Sequence, residues 1–381
     1  MYRYVVILFL FFPLSSFSQA KLSFQKADSL SYQYYLRGEW GNLIELSKEA
    51  FKQKINSKFM YQRAGYAFFM KGDYYSARHQ FIKALEFDQS DNFTREYLYY
   101  SALNAGSENT RYYAGNLSDD SASKLGIRPF NPIESLDTEF NLKINEAKTR
   151  SNQNYYRFGI NTELGYHLSL YQAYAYLDQL IGNELTRQPE YMALLKWTLT
   201  PVWHVKTAYH RLFTNIGNVN YLANMGYIAL SSRLNRFNFE ANASTLKSTL
   251  TTTQQIGFQA SVVFPGKSNL YFTSSVAEMF EKATYRPIYS QTIGLKCFDN
   301  LWAEGNITFG NLKNYNTFNS LYVYNSEDPS VFRTGYSLFY FLGKHITLIG
   351  NFTFNQQEIE NNSANKYYYQ YSYSGGLKWK L

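Results

Sequence analysis

The chain has 381 residues and a formal net charge of +8, with 45% hydrophobic, 19% aromatic (37 Tyr, 30 Phe) and only 17% charged residues. A mean hydropathy of −0.39 excludes a bundle of transmembrane helices, and so much tyrosine with so few charges is out of character for a cytosolic enzyme. The single cysteine, Cys297, excludes an internal disulfide and has no metal-ligand neighbours, while the basic balance comes without a Lys/Arg cluster or nucleic-acid motif and points to acidic surfaces rather than nucleic acid.

Residues 1–20, MYRYVVILFLFFPLSSFSQA, read as an export signal. Arg3 precedes the apolar run Val5–Leu14, and Ser18 and Ala20 flank Gln19 in a small-x-small cleavage pattern. Cleavage is expected after Ala20. No Cys follows to carry a lipid, and no later stretch approaches the ~18 apolar residues of a helical span.

Residues 21–117 are expected to form helical hairpins. Gly38, Gly72 and Gly106 recur at an interval of about 34 residues, the period of two-helix repeats. The middle unit, residues 61–91, resembles the tetratricopeptide-repeat family: Gly65 and Ala67 stand where small residues let the first helix pack, Gly72 and Asp73 make the turn, and Ala77, Phe81 and Ala84 take the packing positions of the second helix. Asp88 closes the unit, with Gln89 where proline is usual. A short polar helix, Glu108–Leu117, is expected in the third unit. The resemblance implies a small concave face that binds a protein partner, carried onto Gln62, Tyr66, Phe69, Met70, Glu96, Tyr100, Leu103 and Asn104. Packing of those aromatics within the stack is an equal reading.

A linker is expected over residues 118–152, where Gly126, Pro129 and Pro132 interrupt helices and Glu134–Lys148 reads as a charged helix-like piece. From 153 to 381 the period changes to two. The last run is the clearest: Tyr367, Tyr369, Tyr371, Tyr373, Leu377, Trp379 and Leu381 alternate with Gln370, Ser372, Ser374, Lys378 and Lys380. Tight turns at Pro201, Asn235–Arg236, Gly266–Ser268, Asp299–Asn300 and Gly343–Lys344 fall at every second connection, with longer connections expected near 167–190 and 314–330. Trp197, Trp203 and Trp379 gather beside the tight turns, with Trp302 turned inward by parity. The pattern resembles single-chain outer-membrane barrels, here of about 12 strands, with both ends of the barrel and the helices on the periplasmic side. The expected fold is therefore α-helical hairpins followed by an all-β antiparallel transmembrane barrel, in contact with outer-membrane lipid.

Parity assigns Arg157, Glu163, Lys196, His204, Lys206, His210, Glu240, Lys296, Glu304, Lys378 and Lys380 to the lumen. Isolated histidines such as His204 and His210 are more often ordinary polar residues than metal ligands. No phosphate loop and no G-x-S-x-G elbow occurs, so neither cofactor nor catalytic residue is expected. The leading expectation is a barrel anchoring a periplasmic repeat domain that docks a partner of an envelope or secretion assembly. The alternative is a channel for polysaccharide or small solutes, gated or loaded by the repeats. Its plan resembles exopolysaccharide exporters, which have longer repeat arrays and larger barrels. An outer-membrane enzyme ranks third.

Overall fold

The computed structural model describes residues 22–107, 109–147, 150–264, 266, 268–282, 284–325, 328–359 and 367–381. The expected export signal and Glu108 lie outside the described residues. Among those residues seven helices precede the strands: α1 (Phe24–Arg37), α2 (Trp40–Lys52), α3 (Lys58–Met70), α4 (Tyr74–Leu85), α5 (Asn92–Asn104), α6 (Thr110–Ala114) and α7 (Asp119–Lys124). None is long and apolar enough to cross a membrane, which says nothing of strands.

Local chemistry starts and stops these helices. The side chains of Ser23, Ser57, Asp73 and Asp91 each accept from a backbone N–H in the first turn, a cap worth about 1 kcal/mol. Gly38, Gly72 and Gly106 follow helix ends at φ of 68°, 76° and 60°, a left-handed conformation that costs glycine little. Their interval thus marks the turns of three successive hairpins. At Gly65 a Cβ would stand 2.9 Å from the Phe81 ring, so the missing side chain lets α3 and α4 close on each other.

Sixteen strands follow. They are β1 (Asn131–Asn145), β2 (Arg150–Glu163), β3 (Leu168–Ile181), β4 (Glu184–Thr198), β5 (Trp203–Ile216), β6 (Val219–Leu234), β7 (Phe237–Ser248) and β8 (Thr252–Val263); then β9 (Tyr271–Glu281), β10 (Thr284–Phe298), β11 (Leu301–Phe309), β12 (Tyr315–Asn316), β13 (Val323–Tyr324), β14 (Ser330–Leu342), β15 (Ile346–Glu358) and β16 (Tyr367–Lys380). All but the short hairpin β12–β13 form one closed antiparallel barrel of 14 strands, sealed where β1 pairs with β16. At the usual strand spacing and a tilt near 40°, its backbone circle is roughly 28 Å across.

Two expectations are corrected here. The linker over 118–152 instead holds α7 and all of β1, whose charges Asp137, Glu139 and Lys143 resemble those of a solvated helix but alternate with Thr138, Phe140 and Leu142 and face inward. The segment 167–190 is not a long connection but the hairpin β3–β4, turned at Gly182 (φ 60°). These missed strands account for 14 rather than about 12. The long-against-short asymmetry is also weaker than expected: at the end away from the helices only 310–329 and 359–366 are long.

The barrel exterior is apolar. Phe158, Tyr174, Ile228, Phe258, Leu338 and Leu377 are exposed, and Trp197, Trp203 and Trp379 are exposed close to the turns at the helical end. Trp302 faces inward and stacks on Tyr271, ring centres 5.9 Å apart. The helices dock on the same end. Arg78 donates to the carbonyl of Asn235 (3.2 Å), Arg236 pairs with Asp73 (2.8 Å), and Arg111 pairs with Glu163 (3.3 Å). The Tyr112 ring meets His167 edge-on at 5.0 Å. Three turns, β2–β3, β4–β5 and β6–β7, thus touch α4, α6 or the residues beside them; Asn109 reaches the carbonyl of Pro201 in the second.

Candidate functional site

The connection between β11 and β14 folds into the barrel instead of outward, carrying β12–β13 as an internal hairpin. Leu312, Tyr315 and Phe318 are buried against Ala277, Met279 and Ile288 of the wall. Val323 packs on a second internal cluster that includes Leu212, Met225 and Leu246. Burying one side chain of this size stabilises by roughly 1.5–3 kcal/mol, so packing holds the loop as firmly as hydrogen bonding does.

Polar contacts tie the hairpin to several sides of the wall. Gln255 of β8 donates to the carbonyl of Asn316 and accepts from its N–H, both at 3.0 Å, as a paired strand would. Tyr227 of β6 donates to the carbonyl of Phe318 at 2.6 Å. Gln188 of β4 accepts from Asn325 at 2.8 Å. Tyr322 donates to Glu139 of β1, and Arg157 of β2 lies over the Tyr322 ring at 5.0 Å. Arg150 binds Asp328 at 3.0 Å, where Tyr368 of β16 also donates.

Beside the hairpin remains a cavity of about 1020 Å³. Its wall mixes tyrosines with many amides and hydroxyls, and its carboxylates are individually engaged. Glu139 holds Arg157 (2.9 Å), Glu240 holds Lys206 (2.8 Å), Glu190 meets His210 (3.0 Å), and Glu304 accepts from Tyr271.

The lumen residues expected from parity fall into two groups. Arg157, Lys206, His210, Glu240 and Glu304 lie inside the barrel in these pairs. Glu163, His204, Lys196, Lys296, Lys378 and Lys380 belong to its helical end: Glu163 takes Arg111, His204 meets Thr198 (3.2 Å), Lys296 pairs with Asp299 (2.8 Å) and Lys380 with Glu134 (3.5 Å), while Lys196 and Lys378 are exposed. His204 and His210 have separate partners, and no group of three metal-binding side chains converges among the described residues.

The helical residues expected to form a concave face divide as well. Gln62 is buried and donates to Asp91 (2.7 Å) and Thr94 (2.8 Å). Tyr66 sits amid Tyr35, Trp40, Phe93 and Tyr97, with Phe69 and Tyr100 also against Tyr97. Glu96 accepts from Ser121 of α7. These residues tie the helices together, which leaves Met70, Leu103 and Asn104 exposed. Burial and neighbouring Tyr66 push the Tyr97 hydroxyl up to about 12.

Residues with no part in the expected site turn out to shape it: Phe318, Tyr322 and Tyr324 on the hairpin and Gln188, Glu190, Lys143 and Arg333 on the wall line the cavity, while Gln255 holds Asn316 in place. Parity along β4, β8 and β14 carries the signal for the wall residues. Nothing local marks the hairpin as internal.

No family model matches the chain, and no curated protein matches it either. Solved structures do. The toluene transporter TodX of Pseudomonas putida aligns with a TM-score of 0.47 at 7% identity, covering 69% of this chain and 94% of that one. The CymD monoaromatic hydrocarbon channel gives 0.45 at 9%, covering 65% and 88%. The KdgM porin in complex with disordered oligogalacturonate gives 0.33 at 9%, covering 65% and 99%. Identities this low carry no residue-level correspondence.

Proposed function

We propose that this chain is an outer-membrane channel for small polar solutes, constricted by its own internal hairpin and carrying its helices on the periplasmic side. The observation that carries the reading is the cavity of about 1020 Å³ inside a closed barrel, walled by hydrogen-bonding groups while the exterior is apolar. A closed barrel satisfies every backbone group within lipid, which open sheets cannot do. Polar groups lining the inside of an apolar cylinder give a solute a route that lipid denies.

The export signal expected over residues 1–20 fits this compartment. The tryptophans Trp197, Trp203 and Trp379 beside the turns at the helical end fit a membrane interface, and the short turns at that end support a periplasmic side for the helices. The tetratricopeptide resemblance supports a docking role for the exposed Met70 and Leu103. That role is secondary, because most residues of the expected face are occupied by packing between helices.

The test is solute flux into liposomes holding the purified full chain. Small neutral sugars are expected to enter faster than into protein-free liposomes, with a sharp cut-off as solute size rises. Entry no faster than in protein-free liposomes for every solute tried would overturn the channel reading.

A further inference from the structure

The cavity wall carries acidic and basic side chains in equal number, but two of the cations stand apart from the ion pairs. Glu139, Glu240 and Asp328 hold Arg157, Lys206 and Arg150, Asp137 shares Arg157, and Glu190 is hydrogen-bonded to His210. Lys143 and Arg333 also line the cavity, yet among the described residues neither forms an ion pair with a carboxylate. Arg333 makes its hydrogen bonds to neutral groups, the hydroxyls of Tyr324 and Thr353.

The register brings these two cations to one recess. Lys143 on β1 stands opposite Ser372 on β16, Ser372 opposite Thr353 on β15, and Thr353 opposite Gly335 on β14, two residues from Arg333. Three small residues therefore form a floor between two long basic side chains, their strands about 14 Å apart at ordinary spacing. Arg333 leans over that floor, its guanidinium 3.5 Å from the Thr353 hydroxyl. Asn355 and Gln370 flank the floor with further amide groups.

We propose that this recess binds an oxyanion, a carboxylate or phosphate borne by a small solute. Two buried cations with no carboxylate at ion-pair distance favour an anion in the space between them. A guanidinium fork with an ammonium opposite suits a group with two or more charged oxygens. Serine, threonine and amide groups then bond to the uncharged remainder of the solute. This inference rests on the channel reading for its biological sense, but not for its chemistry.

Equilibrium binding to the full chain in detergent micelles, measured by calorimetry with inorganic phosphate and with citrate, tests it directly. Saturable binding of at least one is expected, and which one binds distinguishes phosphate from carboxylate. Lys143→Met and Arg333→Gln should each weaken it tenfold or more. Lys143→Arg, which keeps the charge, should bind within a few fold of wild type, and Lys378→Gln at the mouth should bind as wild type does. Circular dichroism establishes that each variant is folded. No saturable binding by the wild type, or equal binding by folded Lys143→Met, overturns the proposal. Flux measured in parallel keeps the two ideas apart: flux without binding sinks the oxyanion site alone, and binding without flux sinks the channel alone.

Discussion

Gln255 offers a way to loosen the internal hairpin without removing it. Its amide exchanges two hydrogen bonds with the main chain of Asn316, both buried. Gln255→Leu keeps the side chain's approximate bulk and removes both. Each stranded backbone group costs about 1–3 kcal/mol while it stays buried, so with two of them seating should weaken by roughly 2–6 kcal/mol. At 1.4 kcal/mol per factor of ten, the ratio of displaced to seated hairpin rises at least about 30-fold. Single-channel recording from the full chain in planar bilayers reads this as more frequent or longer open events. Gln259→Leu, on the same inward face of β8 and also lining the cavity, is the control. If Gln255→Leu changes open probability by less than about threefold, or no more than the control does, the hairpin is not the constriction and the reasoning fails.

Two further outcomes concern the helices. Gly65→Ala gains up to about 1 kcal/mol of helix propensity, but its Cβ would stand 2.9 Å from Phe81, and overpacking of that kind costs about 1–3 kcal/mol; a lower denaturation midpoint of the helical signal is expected, and an unchanged or higher one would refute the packing account. Burial pushes the Asp91 carboxyl up, but bonds from Thr94 and Lys58 outweigh it and hold it below the usual range, while the bond to Asp88, with Asp91 adding to it, raises Lys58 above its own. Stability from Asp91 is therefore present above its unfolded pKa and lost as pH falls through the folded one, whereas that from Lys58 is lost only as pH rises through its raised value. The acid limb of a helical melting profile should flatten in Asp91→Asn, and a limb identical to wild type would show that this carboxyl does not set it.

Much of this architecture is legible in the chain. The alternation of Tyr367 to Leu381 makes β16 readable as it stands, and three glycines locate three hairpin turns. What escapes is where two signals compete. In β1 the charges Glu134, Asp137, Glu139 and Lys143 follow broken, proline-containing sequence, so they resemble a solvated helix; only the partners on β2 and β16 make them inward-facing strand residues. In β3 the outward Gln172 and Asp178 blur the alternation. The site is less legible still. Parity places Arg157, Lys206 and Glu240 inside, but Arg157 pairs with Glu139 on the unrecognised β1, Lys206 reaches Glu240 across an intervening strand, and the expected concave face is consumed by contacts between helices that no single repeat reveals. The internal hairpin has the composition of an ordinary surface loop, and its inward course is a property of the barrel around it.

That inward course also bears on how the molecule can form. The hairpin's wall partners are remote along the chain: Gln255 is 61 residues from Asn316, Tyr227 is 91 from Phe318, Gln188 is 137 from Asn325, and Glu139 is 183 from Tyr322. Contacts of such separation form late, since long segments must be ordered before any of them is rewarded. The hairpin is also continuous with β11 and β14, which pair directly with each other, so it stays tethered at the mouth whether seated or displaced. The seated hairpin is therefore expected to be among the last parts of the molecule to form, completing only once the distant wall strands stand in place.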